Sequence, residues 1–294
     1  MSWRTVIITK RCKLDLKMGY MVVRGEEVRR IYLDEIAMLI IENPAVSLTG
    51  CLLEGLVSQK VRVVFCDAKR SPMAELVPYY GAHDSARKVK TQMSWNHDFK
   101  CLVWAEIVAE KIRKQAEFLD ELGKAREAAL LREYVGQVEP HDKTNREGHA
   151  AKVYFNGLFG MGFTRSAETV INAALNYGYA ILLSAFNREI TACGYLTQLG
   201  IFHDNMFNHY NLSSDLMEPF RVLVDRLVYA ADIDAFDSVQ KHALWELLNS
   251  RLMISNTSQT VLNAVTIYTR SVFDTLNDKD LSKLRFFQIV RDEL

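Results

Sequence analysis

The sequence predicts an α+β protein in which a small N-terminal β domain precedes a larger all-helical domain. Short alternating or β-branched runs fill roughly the first seventy residues, whereas apolar residues recur at three- and four-residue spacing over most of the remainder. Only 14 Gly and 5 Pro interrupt 294 residues, which favours long helices over a turn-rich β fold. We therefore expect a β domain over 1–70, a linker over 71–85 and a helical domain over 86–294.

Four β runs open the chain, at residues 5–9, 13–17, 20–24 and 28–33. The second run alternates apolar and charged residues, as a half-buried strand does, and Gly19 and Gly25 lie in the turns between later runs. A short helix is predicted over 52–59. The β-branched run at 61–66 predicts a buried strand.

The segment 71–85 contains Pro72, Pro78 and Gly81 and lacks a regular period, so it is predicted to link the two domains. Beyond it the apolar spacing is helical. It predicts eight helices, over residues 86–122, 124–136, 145–159, 166–192, 215–230, 237–253, 258–276 and 281–291.

Composition excludes several classes of protein. The 36 Lys and Arg balance the 36 Asp and Glu, so no global charge indicates a partner. The five cysteines are odd in number and contain no C-x-x-C pair, which excludes a disulfide framework and a thiolate zinc site. No apolar run approaches the roughly 20 residues of a membrane span, and the N-terminus lacks a signal-peptide core. We expect a cytoplasmic protein without a membrane partner.

Five side chains of the helical half are candidates for function or for simple structural roles. Thr144 and Glu147 have the spacing of a helix capping box, and Asp215 and Glu218 imitate it. His203 has apolar neighbours, as a buried structural histidine does. Alternatively, two glutamates and one histidine from three segments form a site suited to Mg²⁺ or Mn²⁺. The residues alone leave both interpretations open.

Charged residues near these candidates have two interpretations as well. Arg221 lies three residues after Glu218 and four before Asp225, so these side chains share a helix face. Arg221 can hold Glu218 or contact a phosphate, and a row of surface ion pairs is the alternative. The basic stretch 83–100 suits a nucleic-acid backbone, or is a solvated helix face.

Seven segments, in order along residues 3–225, resemble the CRISPR-associated integrase and endonuclease family, Cas protein one, in the branch found in type II systems. They are Trp3-Arg-Thr-Val6, Val64-Phe-Cys-Asp67, His83-Asp84-Ser85, Asn145-Arg-Glu-Gly-His-Ala-Ala-Lys-Val-Tyr-Phe155, Asn172-Ala-Ala-Leu-Asn-Tyr-Gly-Tyr-Ala-Ile181, Gly200-Ile-Phe-His203 and Asp215-Leu-Met-Glu-Pro-Phe-Arg221 with Val224-Asp225.

The resemblance implies a metal-dependent DNA endonuclease and integrase of spacer acquisition, which joins the 3′-hydroxyl of short DNA fragments to the CRISPR repeat by transesterification. The family's catalytic metal ligands, for Mg²⁺ or Mn²⁺, match Glu147, His203 and Glu218. Behind these ligands we expect supporting contacts from Asp215, Arg221 and Asp225. This chain has Val222 where many relatives have proline, and its last sixty or so residues match no family motif.

The resemblance also implies partners. We expect double-stranded DNA, as prespacer and as CRISPR repeat, a homodimer formed through the β domain, and a small ferredoxin-like Cas subunit that completes a heterohexamer. Further type II adaptation proteins are expected too. The predicted DNA contacts are Arg87, Lys88, Lys90, Arg146 and Lys152.

Two other functions compete with this interpretation. The chain is alternatively a catalytically silent helical scaffold that binds DNA or proteins, with both glutamates acting as caps. A metal-dependent phosphohydrolase acting on small phosphates is the third hypothesis.

Overall fold

The chain divides into two compact units, Met1–His83 and Asp84–Leu294. The structure, a computed structural model, describes residues 4–68, 70, 72–76, 78, 82–231 and 235–289. Several predicted features lie outside these residues: Trp3, parts of the predicted linker (71, 77, 79–81) and the end of the last predicted helix (290–291).

The first unit is built from strands and one helix, as predicted. Its elements are β1 (Arg4–Ile8), β2 (Lys13–Lys17), β3 (Tyr20–Arg24), β4 (Val28–Tyr32), β5 (Ile36–Ile41), β6 (Ser47–Leu48), α1 (Gly50–Ser58), β7 (Arg62–Cys66) and β8 (Pro72–Leu76), with a 3-10 turn at Leu33–Glu35. Strand β8 occupies part of the segment predicted as a linker. There it pairs antiparallel with β7 as the edge strand of the sheet. Proline is tolerated at its first position, Pro72, because an edge strand does not need every N–H for pairing.

Two four-stranded sheets make up this unit, in the orders β1-β5-β7-β8 and β4-β3-β2-β6. Strand β5 lies between two parallel neighbours, with Ile40 paired to Ile7 and to Val64, and all six of its residues are buried. Apolar residues of both sheets and of α1 form one core, including Leu14, Met21, Leu39, Leu52 and Val63. Burial of this shared core holds the unit together.

The second unit is mainly helical. Its helices are α2 (Ser85–Met93), α3 (His97–Glu121), α4 (Ala125–Val135), α5 (Arg146–Phe159), α6 (Val170–Ala192), α7 (Asn211–Leu216), α8 (Arg221–Ala230), α9 (Ser238–Glu246) and α10 (Val261–Asp278). Single 3-10 turns occur at Pro140–Asp142, Glu218–Phe220, Leu247–Asn249 and Leu281–Lys283. None of the helices in the described residues is long and apolar enough to cross a membrane.

The predicted helix over 86–122 is two helices, α2 and α3. Helix α3 begins after Asn96, its N-cap, whose side-chain oxygen accepts a hydrogen bond of 2.8 Å from the N–H of Phe99. Helix α3 then packs against α4, α5, α8, α10 and the turn Glu218–Phe220. It therefore contacts the elements that carry Glu147, Glu218 and Asp225.

The prediction that the second unit is all helical is wrong. Strands β9 (Arg251–Ile254) and β10 (Thr257–Thr260) form a hairpin, and β11 (Phe287–Gln288) adds to β9. Ser255 and Asn256 connect the hairpin with φ of 51° and 61°, the left-handed values that a two-residue hairpin turn requires. Strand β11 forms because it pairs with a distant strand, a contact that local periodicity does not reveal.

Helices α6 and α8 approach closely at one glycine. A Cβ on Gly178 would lie 2.4 Å from a methyl carbon of Val224, so only glycine allows this separation. The close packing places Tyr179 of α6 beside Asp225 of α8.

Candidate active site

One ammonium group joins the two glutamates singled out in the sequence. The Nζ atom of Lys111, on α3, lies 2.6 Å from Oε1 of Glu147 and 2.5 Å from Oε2 of Glu218. One oxygen of each carboxylate therefore contacts the same nitrogen atom. Burial opposes the charge on Lys111, but the two carboxylates outweigh it and raise the pKa of the amine. The structure thus brings Glu147 and Glu218 to one point.

Glu147 is placed by the start of α5, but not through the predicted capping box. The residue at the N-cap is Asn145, whose side chain accepts from the N–H of Gly148, and the carboxylate of Asp142 accepts from the N–H groups of Arg146 and Glu147 at 2.8 and 3.0 Å. The hydroxyl of Thr144 is buried without a partner. The Thr144–Glu147 capping box is therefore a wrong prediction, since Asp142 and Asn145 already satisfy these N–H groups.

Glu218 lies at the first position of a buried 3-10 turn, followed by Pro219. Its Oε1 accepts a hydrogen bond of 2.9 Å from Nε of Arg221, one turn later. Burial disfavours the carboxylate, but Arg221 and Lys111 attract it more strongly and lower the pKa of Glu218 to about 2. Of the two interpretations given to Arg221, the structure shows the one in which it holds Glu218.

His203 is held by Asp215. The Asp215 carboxylate, fully buried, accepts hydrogen bonds from the N–H groups of Ile201, Phe202 and His203 at 2.6, 3.0 and 3.1 Å, and lies 2.5 Å from Nδ1 of the His203 ring. The bond to Asp215 outweighs burial and raises the pKa of His203. Asp215 therefore does not form the helix cap predicted with Glu218, because its oxygens are used by the 201–203 loop.

An aromatic stack supports this loop from α3. The rings of Trp104 and Phe202 are parallel, with centroids 4.5 Å apart, and the rings of Trp104 and His203 are nearly perpendicular, with centroids 5.7 Å apart. His203 itself keeps 38% of its side chain exposed, so it is not the fully buried core histidine of the structural interpretation. The His203 ring therefore contacts Trp104 and remains partly accessible.

Asp225 has different partners from those that its spacing suggests. Its carboxylate accepts from the hydroxyls of Tyr154 at 3.0 Å and Tyr179 at 2.5 Å rather than from Arg221. Burial raises the pKa of Asp225 to about 6, against the opposing effect of these hydrogen bonds. The guanidinium of Arg221 lies instead over the Tyr179 ring, 4.6 Å from its centroid.

A cleft of about 190 Å³ opens beside these groups. Its walls are Lys111, Gln115, Glu147, Phe155, Arg165, Tyr179, Glu218, Arg221 and Asp225. Sequence reasoning missed Lys111, Gln115 and Arg165 as parts of the site. Lys111 had a detectable signal, because it follows Trp104, Ile107 and Val108 on the apolar face of α3, where a charged residue needs a partner.

The five residues predicted to contact DNA differ in their exposure and in their partners. Lys90 and Lys152 are exposed, and Arg87 is exposed but paired with Asp84 at 2.5 Å. The Lys88 ammonium lies over the ring of Tyr195, and the Arg146 guanidinium over that of Tyr134. Their role toward DNA stays a prediction.

The donor set suits a hard divalent cation. Two carboxylates contact one ammonium, and Asp215 on Nδ1 of His203 leaves the lone pair of the neutral ring on Nε2. Within the described part of the chain, no three His, Cys, Asp or Glu side chains lie close enough together to hold a metal ion, and the ammonium of Lys111 contacts both glutamates. Ligation by Glu147, His203 and Glu218 therefore stays a prediction with compatible chemistry.

Fold and site together define a two-unit α+β protein whose helical unit carries a carboxylate pair, an Asp-oriented histidine and a partly basic cleft. Residues 5–232 match the family described as CRISPR associated protein Cas1. A CRISPR-associated endonuclease Cas1 of Neisseria meningitidis serogroup C (strain 8013) is 37% identical over 229 residues, covering 78% of this chain and 75% of the relative. The chain belongs to the Cas1 family, which confirms the resemblance seen in its motifs.

Solved structures share the fold. A casposase bound to integration product gives a TM-score of 0.75 at 17% identity, covering 95% of this chain and 91% of that one. A Cas6-RT-Cas1–Cas2 complex gives a TM-score of 0.73 at 15% identity, covering 98% of this chain but only 36% of that longer chain. These similarities confirm the predicted α+β architecture.

Proposed function

We propose that this protein is a metal-dependent DNA endonuclease and integrase of CRISPR spacer acquisition, acting in the cytoplasm. The observation that carries the proposal is the convergence of Glu147 and Glu218 on the ammonium of Lys111, together with a histidine oriented by Asp215. Membership of the Cas1 family and the endonuclease name of the Neisseria relative support the same reaction class.

Glu147, His203 and Glu218 would hold Mg²⁺ or Mn²⁺. When bound, the ion would polarise a phosphodiester and neutralise charge on the oxygens around phosphorus. The residues present fit this role, because carboxylate oxygens with one imidazole are ligands that these ions accept.

The remaining residues position the ligands and the DNA. Asp215 fixes the orientation of His203 through Nδ1, and Arg221 fixes Glu218 through Oε1. Arg165 also lines the cleft, where it donates a hydrogen bond of 2.6 Å to Asn176 and lies over the ring of Tyr179. A guanidinium fixed in this way is suited to bind a phosphate oxygen.

The reaction is a transesterification. The 3′-hydroxyl oxygen of a short DNA fragment forms a bond to phosphorus in the repeat strand, and the bond from that phosphorus to the adjacent 3′ oxygen breaks. The attacking hydroxyl loses its proton and the leaving oxygen gains one, so the number of phosphodiester bonds is unchanged. Water in place of the fragment gives hydrolysis. Catalysis then depends mainly on positioning and charge neutralisation.

The proposal includes an assembly. The β unit forms a homodimer, and dimers flank a small ferredoxin-like Cas subunit in a heterohexamer that holds double-stranded prespacer and CRISPR repeat. Further type II adaptation proteins join this assembly. A structural neighbour solved as a Cas6-RT-Cas1–Cas2 complex supports a Cas partner.

A labelled branched DNA that mimics a half-integrated intermediate tests the reaction. We expect the wild type to resolve it in Mn²⁺ or Mg²⁺ but not in EDTA, and Glu147→Ala, His203→Ala and Glu218→Ala to be inactive although folded by circular dichroism. His242→Ala, at an exposed position of α9, is the matched control and stays active.

Folded variants that resolve the branch as well as the wild type would contradict the assigned residues. A wild type that stays inert in both metals, alone and with the small Cas subunit, would favour the silent scaffold. Turnover of small phosphate esters without DNA would favour the phosphohydrolase. The hypothesis of a silent scaffold assumed that both glutamates cap helices, and neither side chain forms the predicted cap.

A further inference from the structure

Lys111 is the group in the site that neither the motifs nor the proposed reaction explains. Only 10% of its side chain is exposed, and its ammonium contacts one oxygen of each predicted glutamate ligand. The other oxygen of Glu218 is bound by Arg221. Lys111 therefore occupies the place between the carboxylates that a divalent cation needs.

The ammonium and a metal ion exclude each other from this place. Mg²⁺ and Mn²⁺ bind carboxylate oxygens at about 2.1 Å, so an ammonium kept within 2.6 Å of the same oxygens would face the ion at repulsive distance. A lysine has a flexible four-carbon stem and no preferred bidentate geometry, so it can leave without moving the backbone.

The cleft offers the displaced ammonium a new partner. Gln115 lies one turn along α3 from Lys111, on the same helix face, and also lines the cleft. Gln115 is only 3% exposed, and its buried Oε1 atom lacks a hydrogen-bond partner. A buried acceptor of this kind is unfavourable until a donor reaches it.

We propose that Lys111 is a built-in counterion that holds Glu147 and Glu218 together in the metal-free protein and moves toward Gln115 when a divalent cation binds. Lys111 is then a positioning residue that sets the affinity for the metal. It keeps the two carboxylates from repelling each other before the metal arrives, and the metal must displace it. This inference rests on the proposed metal site at Glu147, His203 and Glu218.

Binding of Mn²⁺ alone to the full-length protein tests the inference without any DNA reaction. Titration followed by electron paramagnetic resonance of free Mn²⁺ compares the wild type with Lys111→Met and Lys111→Gln. We expect both variants to bind Mn²⁺ at least about tenfold more tightly, because a competing charge has been removed. In EDTA both should melt at lower temperature than the wild type, and added Mn²⁺ should raise their melting temperature by more.

Lys114→Met is the matched control. Lys114 lies on the same helix, is 4% exposed and is paired with Glu110 and Glu117, none of which lines the cleft. Its removal should leave Mn²⁺ affinity unchanged. Using Lys111→Gln beside Lys111→Met keeps the test valid if one of them fails to fold.

Glu147→Gln and Glu218→Gln separate failure of this inference from failure of the site. If these two variants lose Mn²⁺ binding while Lys111→Met binds no more tightly than the wild type, the counterion role is wrong and the metal site stands. If the folded glutamate variants bind Mn²⁺ as the wild type does, the ion binds elsewhere and both proposals are overturned.

Discussion

Asp215 holds His203 twice, by the backbone and by the ring. Its Oδ1 atom accepts from the His203 N–H at 3.1 Å and lies 2.5 Å from Nδ1 of the same residue. A carboxylate beside Nδ1 keeps the proton on that nitrogen and leaves Nε2 to act as a ligand. Position and tautomer of the imidazole are therefore set by one side chain.

Replacing Asp215 by asparagine should destabilise the protein. The amide nitrogen of Asn cannot accept from the N–H groups that face it, so at least one buried donor is left without a partner, at a cost of about 3 kcal/mol. Urea unfolding of Asp215→Asn measures this. Asp204→Asn, at an exposed position just after His203, should change the free energy of unfolding by less than about 0.5 kcal/mol. Equal stability of the two variants would contradict the role of Asp215.

Gly200 should not tolerate a side chain. A Cβ there would lie 2.3 Å from the backbone oxygen of His203 and 2.8 Å from Oδ2 of Asp215, so the loop would have to move. We expect Gly200→Ala to cost about 3 kcal/mol and to lower the melting temperature. Gly162→Ala, whose Cβ would meet nothing within 4 Å, is the control that should melt with the wild type. A stable Gly200→Ala protein would show that the loop is adaptable.

Asp142, rather than Thr144, should stabilise the start of α5. Asp142→Ala removes the acceptor for the N–H groups of Arg146 and Glu147 and should cost about 1 kcal/mol. Thr144→Val removes a buried hydroxyl without a partner and should be neutral or slightly stabilising. Chemical denaturation of both variants decides between the two caps, and the reverse order of stability would restore the predicted capping box.

Asp225 should make stability depend on pH. Its pKa is raised to about 6 in the folded protein, from about 3.9 when unfolded, so the unfolded chain ionises first as pH rises. The contribution of Asp225 is fully present below pH 4 and is lost as pH rises through 6. Relative to Asp225→Asn, the wild type should lose about 3 kcal/mol of unfolding free energy between pH 3.5 and 7. Parallel pH profiles of wild type and variant would contradict this.

The β unit followed from its sequence to a large extent. Strands β2, β3 and β4 begin where the alternating runs begin, and α1 and β7 lie within two residues of their predicted bounds. Local patterning decides β2, β3 and β4 because each pairs with a neighbour close in the chain. Strand β8 escaped prediction although it pairs with the adjacent strand β7, because Pro72 interrupts the local β pattern.

The helical unit was predictable only where helices were uninterrupted. Helix α5 matches its predicted range to one residue, whereas the strands of the hairpin β9–β10 were assigned to the end of the helix predicted over 237–253 and to the start of the one predicted over 258–276. Apolar residues of a short hairpin also recur at helix-like intervals, and the decisive turn at Ser255-Asn256 lacks glycine.

The residues of the candidate site were predicted mainly from family motifs, because spacing and residue type alone left two interpretations open. Glu147, His203, Glu218 and Asp215 were named from the sequence, and the structure links them in pairs through Lys111 and through the 201–203 loop. Lys111 was missed because spacing along one helix does not show which distant carboxylates it meets.

Phe287 of β11 lies against Phe220, with ring centroids 4.5 Å apart, and Phe220 is two residues from Glu218. The family match ends at residue 232, so part of the packing next to Glu218 comes from a segment that the family model does not cover. Two relatives with identical motifs and different tails need not hold that glutamate equally firmly.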